Sequence, residues 1–335
     1  MAEVVNIVFD GCQPTALSAV VEALSVANLH ATRANETEPP PLAWRTLSHG
    51  ARPVRAMGGL TLAVDGGLDQ IGTPDLIFLP AILSNDPKTM LRRIDELHGW
   101  LGDLLREHHG RNGILAANCS AVFLLAEAGL LDGRSATTSW WLAKTFAARY
   151  PGVHLKPESL ITEDERIFCA AAFSACLNLG VGIVEKFLGP RAALSCARVM
   201  LVDVNRATQL PYANLGAHVR HGDELVLRAQ TILLSNLTQP MNLAGLADRL
   251  GVTNRTLGRR FRSAIGETPS EFMQHARIER AKRLLETTST SIDEVAHCVG
   301  YEDPSSFRRL FRRTAGISPG EYRGRFGMNA PAPEG

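Results

Sequence analysis

The chain has 335 residues, of which 45% are hydrophobic, 21% charged and 6% aromatic. That is enough ordinary globular sequence for two domains, and it excludes a small stapled scaffold and global disorder. Lys and Arg number 35 against 34 Asp and Glu, yet Met241 to Arg325 holds 15 basic and 10 acidic side chains and the remainder 20 and 24, so a basic C-terminal module that meets a polyanion is joined to a mildly acidic body.

Val4 to Phe9, ending in Asp10-Gly11, reads as a buried strand and turn, and the apolar spacing from Thr15 to Leu29 is helical. Glu38-Pro39-Pro40-Pro41 is a loop, because successive prolines remove donors and fix φ. Leu76 to Leu79 is a second strand, Met90 to His109 a charged amphipathic helix, and Gly113 to Ala117 a third strand. Asn118-Cys119-Ser120 and an apolar helix, Val122 to Ala128, follow directly; Ile167 to Ala170 and Phe173 to Leu188 continue the alternation. Such alternation predicts an α/β sandwich with a mainly parallel sheet and helices on both faces, over residues 1–203. Residues 204–222, with Pro211, Gly216 and Gly222, are expected to be a linker. From Asp223 to Arg325 every periodic stretch has a period near 3.6, which predicts an all-α domain, and 326–335 reads as a flexible tail.

Cysteines stand at 12, 119, 169, 176, 196 and 298, without CxxC pairs or histidines in zinc-ligand register, so they read as reduced. The start, MAEVVNIVFDG, lacks the basic and apolar regions of a signal peptide, and no window approaches the ~18 apolar residues of a membrane span. A cytoplasmic protein without metal, cofactor or membrane contact is expected.

The helical region contains a repeat. Leu243, Leu246, Ala247 and Gly251 recur as Ile292, Val295, Ala296 and Gly300; Leu257, Phe261, Gly266, Pro269 and Phe272 recur as Phe307, Phe311, Gly316, Pro319 and Tyr322, with one residue inserted in the turn. Each copy has the grammar of a helix-turn-helix: a helix with a small alanine, a glycine stop, a capping Thr253 or Asp303, and a second helix whose i, i+4 apolar pair packs inward. Its outward face carries Arg255, Arg259, Arg260 and Arg262 in the first copy, and Ser305, Arg308, Arg309, Arg312 and Arg313 in the second. A single arginine run is usually a solvated face, but two copies with arginines on the corresponding helix favour nucleic acid. Glu271 to Glu286 reads as one long helix between them.

This region, with Ile292-Asp-Glu-Val-Ala-His-Cys-Val-Gly-Tyr and Phe307-Arg-Arg-Leu-Phe-Arg-Arg, resembles the DNA-binding domain of AraC/XylS-family transcription regulators. The resemblance implies that each second helix enters the major groove. Arg255, Gly258 and Arg259, and Ser305, Arg308 and Arg309, would then face base edges, with Arg260, Arg312 and Arg313 on phosphates.

A strand running straight into Cys119 and then a helix is a nucleophile-elbow arrangement, and a thiol at a helix N-terminus is expected to have a lowered pKa. A cysteine between apolar segments also reads as a small buried hydrophobe. The run from Cys119 to Trp140, together with Phe9-Asp-Gly-Cys-Gln, Glu22 to Asn28 and Pro74-Asp-Leu-Ile-Phe-Leu-Pro, is similar to the class I glutamine amidotransferase-like superfamily, specifically the PfpI-like domains fused to AraC-type modules. Catalytic members pair the cysteine with a histidine, where Ser139 stands here; the position of an acid in several of them is Ala16, and site glycines are replaced by Ala81 and Ala121. A thiol without a base lacks proton-transfer machinery, so a ligand-sensing pocket formed by Cys119, Ser120, Ser139, Trp140 and Glu22 is expected, with no catalytic residues. For Ser120 and Ser139 the plainer reading is a capping hydroxyl.

These features predict a transcription regulator with duplex promoter DNA, a small nitrogenous effector, RNA polymerase and a second copy of itself as partners. The alternatives are a cysteine-dependent amidase or hydratase that also binds DNA, and an architectural DNA binder without an effector.

Overall fold

The computed structural model describes residues 1–35, 40–82, 84, 86–214, 221–240 and 242–328. The described residues form two units, Met1–Gln209 and the part from Leu210 onward. The first unit opens with β1 (Ala2–Val8), α1 (Pro14–Asn35), β2 (Leu42–Ser48), the short pair β3 (Val54–Arg55) and β4 (Thr61–Leu62), and β5 (Gly66–Gly67). It continues through β6 (Leu76–Leu79), α2 (Pro87–Gly110), β7 (Ile114–Asn118), α3 (Val122–Glu127), β8 (Ser135–Ala136), α4 (Ala143–Arg149) and β9 (His154–Leu155). It closes with β10 (Ile161–Asp164), β11 (Ile167–Ala170) and α5 (Ala175–Val199). The main sheet has the order β10-β11-β7-β6-β1-β2-β5, parallel throughout except for the edge strand β10.

The strands predicted around β1, β6, β7 and β11 are present. Their apolar runs are continuous because both faces are covered. One face packs its core against α2 and α3, with Ile94, Leu101, Leu105, Phe123 and Leu125. The other packs against α1 and α5, with Val20, Leu24, Leu179 and Ile183. The last helix runs past the expected end at Leu188. Gly189 takes φ +81°, and that left-handed step lets Pro190 start a further helical stretch without a clash.

The second unit contains α6 (Glu224–Ser235), α7 (Leu243–Arg249), α8 (Asn254–Ile265), α9 (Pro269–Thr287), α10 (Ile292–Cys298), α11 (Pro304–Ala315) and α12 (Pro319–Phe326). The repeat appears as two small cores that share one helix. Phe272, Met273 and Ala276 of α9 join α6, α7 and α8, whereas Ile278, Ala281 and Leu285 join α10, α11 and α12. Gly251 and Gly300 end α7 and α10 at φ +68° and +87°, the left-handed stop expected of both.

The segment expected as a linker is tied down on both sides of Gln209. Leu160 N donates to Ala207 O at 2.9 Å and Gln209 N to Glu158 O at 3.0 Å in the first unit. In the second, buried Lys282 donates from Nζ to Ala213 O at 2.6 Å, and the Tyr212 ring meets Phe326 edge-on. The departure has a simple cause: the polar backbone of 205–213 finds partners on the units it joins, so it is not loose chain. Residues 215–220 of that expected linker lie outside the described residues, as does 329–335 of the expected tail. Phe326, placed in that tail, belongs instead to α12 and packs on Tyr322.

Candidate functional site

β7 lies inside the sheet, and its carboxyl end delivers Asn118, Cys119 and Ser120 at the top of the first unit. Cys119 has φ +53°, a left-handed conformation that costs a non-glycine residue about 1–3 kcal/mol and is retained only where the surroundings impose it. Those surroundings are hydrogen bonds. Asn118 Oδ1 accepts from Ala81 N at 2.9 Å, and Ser120 Oγ donates to Ile82 O at 2.6 Å while accepting from Ile82 N at 2.8 Å. Thr138 Oγ1 donates to Cys119 O at 2.8 Å. The elbow is therefore clamped to the chain leaving β6 and to the loop after β8.

Cys119 and Ser139, 20 positions apart, are brought together: Ser139 Oγ donates to Cys119 Sγ at 2.8 Å, and both side chains are buried. The expectation of a lowered thiol pKa is corrected here. Burial pushes the Cys119 thiol up, and the hydrogen bonds from Ser139 and Ser120 offset this only in part. The short helical turn Cys119–Ala121 offers no exposed N-terminus, because all three of its residues are buried. The Ser139 hydroxyl that faces this neutral thiol is not a base at neutral pH and so does not take its proton.

Around this pair the other candidates separate. Ser120 is buried and spends its hydroxyl on Ile82. Trp140 is half-buried beside the elbow loop, its ring edge-on to exposed Trp141, which in turn lies 6.4 Å from Phe173. Glu22 is not part of this buried cluster: it sits on the exposed side of α1, because its helical neighbours Ala19, Ala23 and Val20 take the inward face. Ala16, where an acid would be needed, is fully buried in the apolar core.

Two residues that sequence reasoning did not select complete the cluster. Gln209 is buried; its Nε2 donates to Thr138 O at 2.7 Å and Pro157 O at 3.0 Å, and its Oε1 accepts from Trp140 N at 3.1 Å. Gln13 is buried too, with Oε1 taking a long 3.4 Å bond from Asn118 Nδ2 while its own Nε2 has no partner among the described residues. No local signal marks Gln209, which lies 52 to 71 positions from the residues it holds; Gln13 stood inside the Phe9-Asp-Gly-Cys-Gln motif.

In the second unit, α8 and α11 are capped as expected by Thr253 and Asp303, which accept from Thr256 N at 3.2 Å and from Ser306 N at 2.9 Å. Leu257, Phe261, Phe307 and Phe311 are buried. This leaves Arg255, Arg259 and Arg262 exposed on α8, and Ser305, Arg308, Arg309, Arg312 and Arg313 exposed on α11. Gly258 lies on the α8 face between them. Arg260 departs from its expected role on phosphate. It is half-buried and forms a two-pronged pair with Asp223, Nε to Oδ2 at 2.7 Å and Nη2 to Oδ1 at 2.6 Å. Asp223 is also the N-cap of α6, so this arginine fastens α6 to α8. Arg308 Nη2 meets Asp293 Oδ1 at 2.6 Å, and Arg309 Nη2 meets Ser306 Oγ at 2.9 Å.

Residues 2–186 match the DJ-1/PfpI family and residues 246–325 a helix-turn-helix domain family. The HTH-type transcriptional regulator CdhR of Pseudomonas aeruginosa is 31% identical over 293 residues, covering 86% of this chain and 84% of that protein. GbdR, a regulator of the same type from Pseudomonas aeruginosa, is 26% identical over 84% of this chain and 74% of its own length. Among solved structures, Drosophila melanogaster DJ-1beta superposes with a TM-score of 0.50 at 17% identity, covering 60% of this chain and 98% of that one, which shows the fold of the first unit. No helix among the described residues is long and apolar enough to cross a membrane. With a DJ-1/PfpI domain over more than half its length and an AraC-type helix-turn-helix domain behind it, the chain belongs to the AraC family of DNA-binding transcriptional regulators that carry a PfpI-like N-terminal domain.

Proposed function

We propose that the first unit is a sensor and not a catalyst, and that a small nitrogenous metabolite bound near the Cys119 elbow controls how α8 and α11 engage a promoter. The observation that carries this reading is the partner of the thiol: Cys119 Sγ faces Ser139 Oγ at 2.8 Å, and burial pushes the pKa of that thiol up. An amidase or hydratase of this class needs a thiolate and a base. Two features favour binding. The Nε2 of buried Gln13, without a partner among the described residues, is a hydrogen-bond donor next to the elbow that a ligand could fill. The Trp140, Trp141 and Phe173 rings offer π faces of the kind that attract cationic nitrogen.

On the DNA side, Arg255, Gly258 and Arg259 in the first copy and Ser305, Arg308 and Arg309 in the second face base edges, and Arg312 and Arg313 face phosphates. A homodimer would place four such helices on a promoter, with RNA polymerase as the downstream partner.

The test has two arms. Thermal shifts and reporter output are measured against a panel of amino acids, amines and quaternary amines for wild type, Cys119→Ser and Cys119→Ala, because a ligand that binds the folded form raises its stability. A metabolite that raises wild-type stability and changes reporter output, with a shifted concentration dependence in the variants, supports a sensor. Turnover of that metabolite that vanishes in both variants would replace it with the enzyme. For DNA, Arg259→Ala and Arg309→Ala are each expected to cost about 1–3 kcal/mol on a specific site with relaxed base preference, and equal weakening on random DNA would make them phosphate contacts.

A further inference from the structure

Two copies of one fold allow each position to be compared with its twin. The residue after the first buried anchor of the outer helix is Gly258 in α8 and Arg308 in α11. Glycine in a helix interior is unfavourable relative to alanine, so its presence asks for a compensating use. Packing supplies none. A Cβ built on Gly258 meets nothing within 4 Å, and its φ is not in the left-handed range. The glycine instead borders a depression of about 240 Å³ lined by Leu243, Asn254, Leu257, Arg262 and the Thr268–Ser270 start of α9.

In α11 the same position holds a guanidinium that is steered. Arg308 Nη2 donates to Asp293 Oδ1 at 2.6 Å, from α11 back to the first turn of α10. The position matching Asp293 in the first copy is Ala244. With side chains 47% and 56% exposed, the pair contributes little to stability. It does fix the direction of the guanidinium. A guanidinium has five N–H donors, so one bond to Asp293 leaves the fork needed for a two-pronged contact with guanine.

We infer that Gly258 and the Asp293–Arg308 pair make the two half-sites chemically different. Arg308, aimed by Asp293 as a positioning residue, reads a guanine in the half-site of the second copy. Gly258 leaves α8 bare at the equivalent point, so the helix sits closer to the base edges and Arg255 and Arg259 on either side reach them. The inference rests on the reading that α8 and α11 face DNA, and it adds the parts that Asp293, as the residue aiming Arg308, and bare Gly258 play there.

The full chain, its Gly258→Ala, Asp293→Ala, Asp293→Glu and Arg259→Ala variants, and the double variant Ala244→Asp with Gly258→Arg are each used to select sites from a random duplex library. Affinities for the selected wild-type site and thermal midpoints are then measured. Gly258→Ala is expected to raise the thermal midpoint while weakening specific binding about fivefold or more. A structural role for the glycine would move both in the same direction. Asp293→Ala is expected to relax a guanine preference in one half-site only, with Asp293→Glu restoring part of it, and the double variant to gain a guanine preference in the other half. Undiminished affinity of Gly258→Ala, or an unchanged guanine preference in Asp293→Ala, overturns the inference; if Arg259→Ala still loses its base preference, the DNA-facing reading of the helices survives. If no variant, Arg259→Ala included, alters selection, that reading falls and the inference with it.

Discussion

Alkylation by iodoacetamide separates a poised nucleophile from a buried thiol, because the rate follows the thiolate fraction and its exposure. The chain carries its own reference in Cys298, an exposed cysteine at the end of α10. An ordinary thiol with a pKa near 8.5 is roughly one-tenth ionised at pH 7.5; Cys119 lies below that fraction because burial raises its pKa. The reagent must also reach Sγ of a residue that is 2% exposed beneath the loop carrying Thr138 and Ser139. Labelling then needs a local opening of this buried, hydrogen-bonded segment, and an opening free energy of about 3 kcal/mol, at 1.4 kcal/mol per tenfold, slows it by about 100-fold. In the native full-length protein at pH 7.5, Cys119 is therefore expected to react at least about 100-fold more slowly than Cys298. In urea the two rates converge. Peptide mass spectrometry over a time course reads both sites in one sample. Ser139→Ala removes the bond that holds the pKa down and should not accelerate labelling. Labelling of native Cys119 within tenfold of Cys298 would refute the argument from burial and return weight to the enzymatic alternative.

Two further outcomes test the packing. Phe307 is fully buried in the second helical core, so Phe307→Ala is expected to destabilise the helical unit by about 3–5 kcal/mol in urea unfolding, whereas exposed Arg312→Ala should stay within about 0.5 kcal/mol; equal effects would contradict the division of the two faces. Cys169 is fully buried and its pKa is pushed up to about 12 by that burial. Because its folded pKa lies above the unfolded one, its contribution is intact below pH 8.5 and is lost as the pH rises towards 12, amounting to about 1 kcal/mol between pH 8.5 and 9.5. The loss should appear as a falling urea midpoint that is shallower in Cys169→Ala, and a midpoint with the same pH slope in both proteins would exclude it.

What could be read from the chain alone follows from the range of the forces involved. The strands around β1, β6, β7 and β11 were legible because burial on both faces makes each a short, nearly continuous apolar run; β2 (Leu42–Ser48) was not, because four of its seven residues are only partly buried and the run contains Trp44, Arg45 and Thr46. The elbow was legible as strand, cysteine, helix. Its electrostatics were not, since they depend on how completely Ser139, Thr138 and the 81–82 backbone close over the thiol. Arg260 fails for the same reason: its run of arginines reads as one exposed face, and nothing near it in sequence announces Asp223, 37 positions upstream.

The duplication carries one more step of inference. The matched pairs Leu257 with Phe307, Phe261 with Phe311 and Ala247 with Ala296 are all buried, as they must be if one core is built twice. Where the copies differ, at Gly258 against Arg308 and Ala244 against Asp293, the shared fold tolerates either residue. A difference that the core does not require, on the helix face that the core does not use, is free to be set by what lies outside the protein. In a DNA-binding regulator that is the base sequence, and the two halves of its site need not be the same.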